Sequence, residues 1–244
     1  MEKQRIAATI VATFFLICAA GSAQAQSITV LPVSIQMLPG QQATTLTIIN
    51  QGSVENAVQI RAFTWTQVNG EEQLTASDDV LASPPLATIA PGATQVVRVV
   101  LRNPAAGKEA TYRILLDQIP PAAAPGTVRI ALRLSIPVFA PPPVRVAPHL
   151  AFRVEKSASG QSYLVADNTG TAHEMLRDMQ LTTTGDGAKL NVRSGPSPYL
   201  LAGTTRRWAI ASDSLPATGN SLHLTAHGVD HDIVEDVPIV VERP

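Results

Sequence analysis

The chain has 244 residues, with 18 Lys and Arg against 19 Asp and Glu, and this near-neutral balance excludes a broad electrostatic footprint for nucleic acid or an anionic membrane surface. Aromatic residues make up only 4%, while 19 prolines and 15 glycines punctuate a chain rich in Val, Ile, Leu and Thr, a composition that suits short strands joined by turns. The single cysteine, Cys18, lies in a segment expected to be removed, which excludes disulfides and thiolate chemistry from the mature chain.

That segment comes first. Lys3 and Arg5 precede the apolar run "IAATIVATFFLICAAG", and "AQA" follows at Ala23 to Ala25. This is the layout of a secretory signal peptide, residues 1–25, cleaved before Gln26. The competing reading, a membrane anchor, needs about 20 apolar residues, more than the run supplies, so no membrane insertion of the mature chain is expected. Ile17 before Cys18 is a poor fit to a lipoprotein signal. The remainder is long enough for two small β-sandwiches of about 100 residues each.

In "SITVLPVSIQMLPG" the alternation of Ile28 and Val30 resumes as Val33, Ile35 and Met37, with Pro32 where the phase changes. A proline inside an alternating run predicts an edge strand or a kink. "ATTLTIINQG" and "AVQIRAFTW" are the next strands, and "QVNGEEQL" holds an Asn-Gly hairpin turn at Asn69 and Gly70. "LASPPLATIAPGATQVVRVVL" gives a proline-rich loop, a Pro-Gly turn and a strand around Val96 to Leu101. "TYRILLDQIPP", the loop "PPAAAPGT" and the strand "VRIALRLSIPVF" complete about seven strands, the pattern of an immunoglobulin-like sandwich over residues 26–143. "APPPVRVAP" then concentrates prolines into a stiff, extended elbow. Beyond it "HLAFRVE", "SYLVADN", "MLRDMQLTTT", "AKLNV", "RRWAIA", "SLHLTAHG" and "IVEDVPIVVE" predict a second β-sandwich over residues 144–244. The expected fold class is therefore all-β, two sandwich domains joined by the proline-rich elbow.

One strand raises a functional question. In "VRIALRLSIPVF" the residues Val128, Ile130, Leu132, Leu134 and Ile136 share one face of an extended chain, opposite Arg129, Ala131, Arg133 and Ser135. Either the protein's own core covers this apolar row, as happens on most alternating strands, or a partner does.

"LASPPLATIAPGATQVVRV", "TYRILLDQIPP" and "VRIALRLSIPVF", in this order and spacing, resemble the periplasmic chaperones of the chaperone-usher pilus pathway, and "VADNTG" and "YLLAGTTRRWAI" extend the likeness into the second domain. The resemblance implies a non-catalytic chaperone of the periplasm, without cofactor. Its partners would be pilus subunits, which lack their last strand, and an outer-membrane usher. Recognition would be strand addition at a sheet edge, a mode for which chaperone–pilin complementation is a standard example. On this mapping Val128, Ile130 and Leu132 are the surest donor side chains, and Leu134 and Ile136 extend the row. Arg129 and Arg133 would then guard an aggregation-prone edge, or serve only as solvated charges. The loop "IPPAAAPGT" is a candidate usher contact by the resemblance alone.

One departure from the family matters. Its best-known members anchor the subunit's terminal carboxylate with an Arg in the first strand and a Lys near the end of the donor strand. Here the Lys position aligns with Pro137, and "SITVLPVSIQM" holds no basic residue. The "IPVF" ending is more similar to the non-classical, archaic-type lineages whose subunits resemble spore-coat protein U domains. A carboxylate leaving water still wants a charge-assisted donor, and the candidates are Arg113 first, then Arg98 and Arg133.

Enzymatic signals are thin, and no catalytic residue or metal ligand is assigned. "HEMLR" at His173 has Arg177 where a zinc-protease motif needs its second histidine, and "GPSP" around Ser197 lacks the glycine of a nucleophile elbow. His223, His227 and His231 are placed either as a zinc or copper site near a hairpin turn or as exposed histidines. The other function class left open is a secreted two-sandwich adhesin or carbohydrate-binding protein, which would bury the apolar row and carry aromatics at its loop ends.

Overall fold

The computed structural model describes residues 28–120, 126, 130–157, 160–193, 195, 197–211 and 215–241; the signal segment, Val128, Arg129 and most of the loop at 119–127 lie outside the described residues. Every regular element among the described residues is a strand.

The first ten are β1 (Ile28–Leu31), β2 (Ile35–Gln36), β3 (Ala43–Asn50), β4 (Asn56–Val68), β5 (Glu71–Ala76), β6 (Val80–Ser83), β7 (Leu86–Ile89), β8 (Thr94–Leu101), β9 (Ala110–Ile119) and β10 (Arg133–Ala140). They form two sheets, one ordered β1-β3-β8-β6 and the other β2-β10-β9-β4-β5, with β7 also paired to β4. The phase change at Pro32 has a topological cause. Across the cis Leu31–Pro32 peptide the chain leaves the first sheet, where β1 runs antiparallel to β3, and enters the second, where β2 runs parallel to β10. Asn69 and Gly70 both have positive φ, 54° and 82°, the backbone a two-residue hairpin turn requires, and they join β4 to β5. Alternation then fills the space between the sheets: Leu46 and Ile48, Val97 and Val99, and Ile114 and Leu116 are buried there. Each such side chain contributes about 1.5–3 kcal/mol.

The second group is β11 (Leu150–Lys156), β12 (Ser162–Asn168), β13 (Glu174–Met175), β14 (Arg177–Thr183), β15 (Lys189–Val192), β16 (Tyr199–Leu200), β17 (Thr204–Ala211), β18 (Ser221–His227) and β19 (Asp232–Val241). Seven of these pair in a closed ring, β11-β12-β17-β15-β14-β18-β19, so the layers of this sandwich join at both edges around a separate core. The short β13 and β16 pair with each other.

The elbow is held against the second domain. Thr171 N donates to Ala147 O at 2.8 Å and Thr169 N to His149 O at 2.9 Å. Gly170 between them leaves no room for a side chain, because a Cβ would stand 2.4 Å from both Ala147 O and His149 N. Glycine is needed here for a close approach of two backbones.

Candidate functional site

The strand β10 positions the site. It pairs along its whole length with β9, Arg133 opposite Asp117 and Ala140 opposite Ala110. Its other edge meets β2 only at Val138 and Phe139, so from Arg133 to Pro137 that edge carries no neighbouring strand among the described residues. Unpaired N–H and C=O groups along a strand edge are a template for another chain.

The apolar row divides along this strand. Ile136 is 3% exposed and belongs to the first domain's own core, with Leu134 partly buried against it. Leu132 is 40% exposed and Ile130 86% exposed. The expectation of one continuous row offered to a partner is corrected at Ile136 and Leu134, because the opposing sheet still covers them. Residues 130–132 extend the chain beyond β10, with Gln118 N donating to Leu132 O at 2.9 Å.

The three arginines separate in the same way. Arg98 is exposed on β8, between Thr45 of β3 and Ser83 of β6, in the sheet opposite β9 and β10. It does not border the β10 edge, and the expectation is corrected: alternation assigns a strand, not the sheet it joins. Arg133 lies on the outer face of β10 with its side chain 63% exposed, bonded to Asp117, which Arg61 also holds at 2.7 Å. Burial raises the proton affinity of Asp117, but hydrogen bonds from Arg133 and Arg61 outweigh it and leave the carboxyl below its ordinary range.

Arg113 is different. It lies on β9 directly opposite Pro137. Its side chain is only 9% exposed. The guanidinium stacks 3.7 Å over the Trp65 ring, with Tyr199 of the second domain at 5.6 Å and the Glu72 carboxylate at 3.5 Å. Burial pushes its proton affinity down and Glu72 pulls it back, so a cation stays in a largely dry cleft.

The cleft exists because aromatics dock the two domains. Trp65, Phe139 and Leu201 form a third buried cluster with Tyr199 against it. Polar groups clasp the same joint. The Gln67 side chain donates to Tyr199 O at 2.8 Å and accepts from Leu201 N at 3.0 Å and Thr204 Oγ1 at 2.9 Å. His173 stacks on Phe139 with centroids 3.6 Å apart, and its Nδ1 lies 2.7 Å from Glu109 Oε2. Sequence reasoning missed this joint, yet a signal existed. Trp65 and Phe139 fall on the opposite phase from the core residues of their strands, Ile60 on β4 and Ile136 and Val138 on β10.

Two of the three candidate histidines sit beside carboxylates across a hairpin: His223 Nδ1 lies 3.0 Å from Asp236 Oδ1 and His227 Nδ1 2.6 Å from Asp232 Oδ1, while His231 is exposed. No group of three or more His, Cys, Asp or Glu side chains suited to a metal ion occurs among the described residues.

Comparison with known proteins supplies the family. Residues 27–144 match the family model of the pili and flagellar-assembly chaperone, PapD N-terminal domain. No curated protein matches. Among solved structures, the CsuC–CsuE chaperone–tip subunit pre-assembly complex from the archaic chaperone-usher Csu pili of Acinetobacter baumannii aligns at 22% identity, covering 89% of this chain and 100% of the other, with a TM-score of 0.64. The Salmonella enterica SafA pilin–SafB chaperone complex aligns at 12% identity, covering 88% and 99%, with a TM-score of 0.62. The Pseudomonas aeruginosa CupB2 chaperone aligns at 12%, covering 87% and 100%, with a TM-score of 0.55. These likenesses establish the two-sandwich fold, and the match over residues 27–144 makes the first domain a member of the pili and flagellar-assembly chaperone family.

Proposed function

We propose that this protein is a periplasmic chaperone of the archaic type that binds pilus subunits by donating the strand segment 128–132 and passes them to an outer-membrane usher, after removal of residues 1–25 as a signal peptide and with domains at 26–143 and 144–244. The observation that carries the reading is the exposure of Ile130 and Leu132, in phase with the core residue Ile136 and with Leu134 packed against that core, on the segment that leads into a strand whose edge is open. An incomplete subunit sandwich needs such a row. Val128, Ile130 and Leu132 together supply roughly 5–9 kcal/mol of gross apolar stabilisation, before ordering and association costs. Main-chain hydrogen bonds add about 0.5–1.5 kcal/mol each.

Arg113 is the proposed anchor for the subunit's terminal carboxylate. It sits beside Pro137, it keeps its charge in a dry environment, and a guanidinium donates two parallel hydrogen bonds to a carboxylate. Arg133 lies exposed to solvent on the outer face of β10, and Arg98 is in the other sheet.

The test is co-expression with subunits from the neighbouring genes. Ile130→Asp and Leu132→Asp are expected to melt like wild type and to recover no soluble subunit. If they unfold instead, the exposed row belongs to this protein's own core and the donor assignment fails.

A further inference from the structure

The proposed anchor is occupied in the free protein. Glu72, whose side chain is 29% exposed, comes from β5, an edge strand whose residues are all exposed, and reaches in to within 3.5 Å of the Arg113 guanidinium. A second buried guanidinium feels the same carboxylate. Burial lowers the proton affinity of Arg206 on β17, and Glu72 and Glu71 draw it back up. Arg206 Nη1 donates to Ser197 O at 2.7 Å and Tyr199 O at 2.8 Å, while its buried Nε has no hydrogen-bond partner. Glu72 and Arg206 line a common recess of about 250 Å³, together with Arg193 and Arg207.

We propose that Glu72 is a resident stand-in for the subunit's terminal carboxylate: it holds Arg113 in the free chaperone, and an arriving C-terminal carboxylate displaces it into the adjoining recess toward Arg206. The inference rests on the reading of Arg113 as the anchor. A cation stacked on Trp65 with no counter-charge would be costly to keep dry, so the free protein supplies one from a neighbouring exposed strand. Exchange of one carboxylate for another leaves Arg113 paired throughout. Arg193 and Arg206 on the wall of the recess give the displaced carboxylate cationic surroundings. A strand ending without a charge gives Arg113 nothing in return for Glu72, so the device selects for a free carboxylate.

The probe is a synthetic peptide of the last ten residues of the subunit that co-purifies with this chain, made with a free carboxylate or a C-terminal amide, and titrated calorimetrically into the mature protein. Wild type should prefer the free acid. Glu72→Gln should widen that preference by about tenfold, equivalent to about 1.4 kcal/mol of competition removed. Glu71→Gln should leave it unchanged. Arg113→Gln should abolish it; should that variant melt early, Arg113→Lys, which keeps the charge without the planar fork, should narrow it. If the Arg113 variants keep the full preference, the anchor reading falls and this inference with it. If they lose it while Glu72→Gln leaves it unchanged or smaller, the anchor stands and the resident carboxylate is refuted.

Discussion

Alanine substitutions along the row from Ile130 to Ile136 should reverse their effect within the seven residues that run from the exposed segment into β10. Ile136 is 3% exposed inside the first core, so Ile136→Ala should cost about 2–5 kcal/mol of folding stability through lost transfer energy and an incompletely collapsed cavity. Ile130 is 86% exposed, so Ile130→Ala should change stability by no more than about 0.5 kcal/mol. Its cost appears only in the complex. Losing a side chain that a partner buries, worth roughly 1.5–3 kcal/mol, weakens subunit binding roughly 10- to 150-fold. Leu132→Ala should follow Ile130, and Leu134→Ala, partly buried against the core, should fall between. Urea denaturation of the purified chaperone measures the first quantity, and retention of subunit against an excess of competing wild-type chaperone measures the second. If Ile130→Ala lowers the urea midpoint as far as Ile136→Ala does, the division of the row is wrong.

Two further outcomes follow from the framework around the cleft. Gly170→Ala places a Cβ 2.4 Å from the elbow backbone, and should cost about 1–3 kcal/mol in urea denaturation while opening residues 141–149 to limited proteolysis. Asp117 has its carboxyl lowered by Arg133 and Arg61, so its contribution to stability is full above the unfolded carboxylate value of about 3.9 and is lost as pH falls through the lower folded value. Asp117→Asn should therefore be less stable than wild type at neutral pH, by on the order of 1 kcal/mol, with the gap closing in acid; a gap that persists below the folded value would mean the effect is not ionic.

Much of the first domain was legible because its signals are local. The Asn69–Gly70 turn dictates its own backbone, and the phase break at Pro32, expected as an edge strand or a kink, falls where the chain passes from one sheet to the other. The limits were equally physical. Alternation continues unchanged from Ile130 to Ile136, since the sequence does not record where the opposing sheet ends, so the boundary between own core and open row could not be read. Arg98 was misplaced because period two defines a face but not a sheet. The joint between the domains depends on Tyr199, Gln67 and His173 meeting partners far away in sequence, and only the off-phase Trp65 and Phe139 hinted at it.

The pairing of Arg113 with Pro137 has a metric consequence. Pro137 and Leu132 are five residues apart on one continuous chain segment, about 17 Å at the rise of an extended strand. On the proposed assignment, a guest strand pinned by its terminal carboxylate at one mark must lay its side chains against the exposed row at fixed intervals, and a slip of one residue would turn every one of them to the wrong face. The cleft is then a gauge as well as a shield: it measures the guest from its end, and only a strand whose apolar positions fall at the right distance from that end can fill the row.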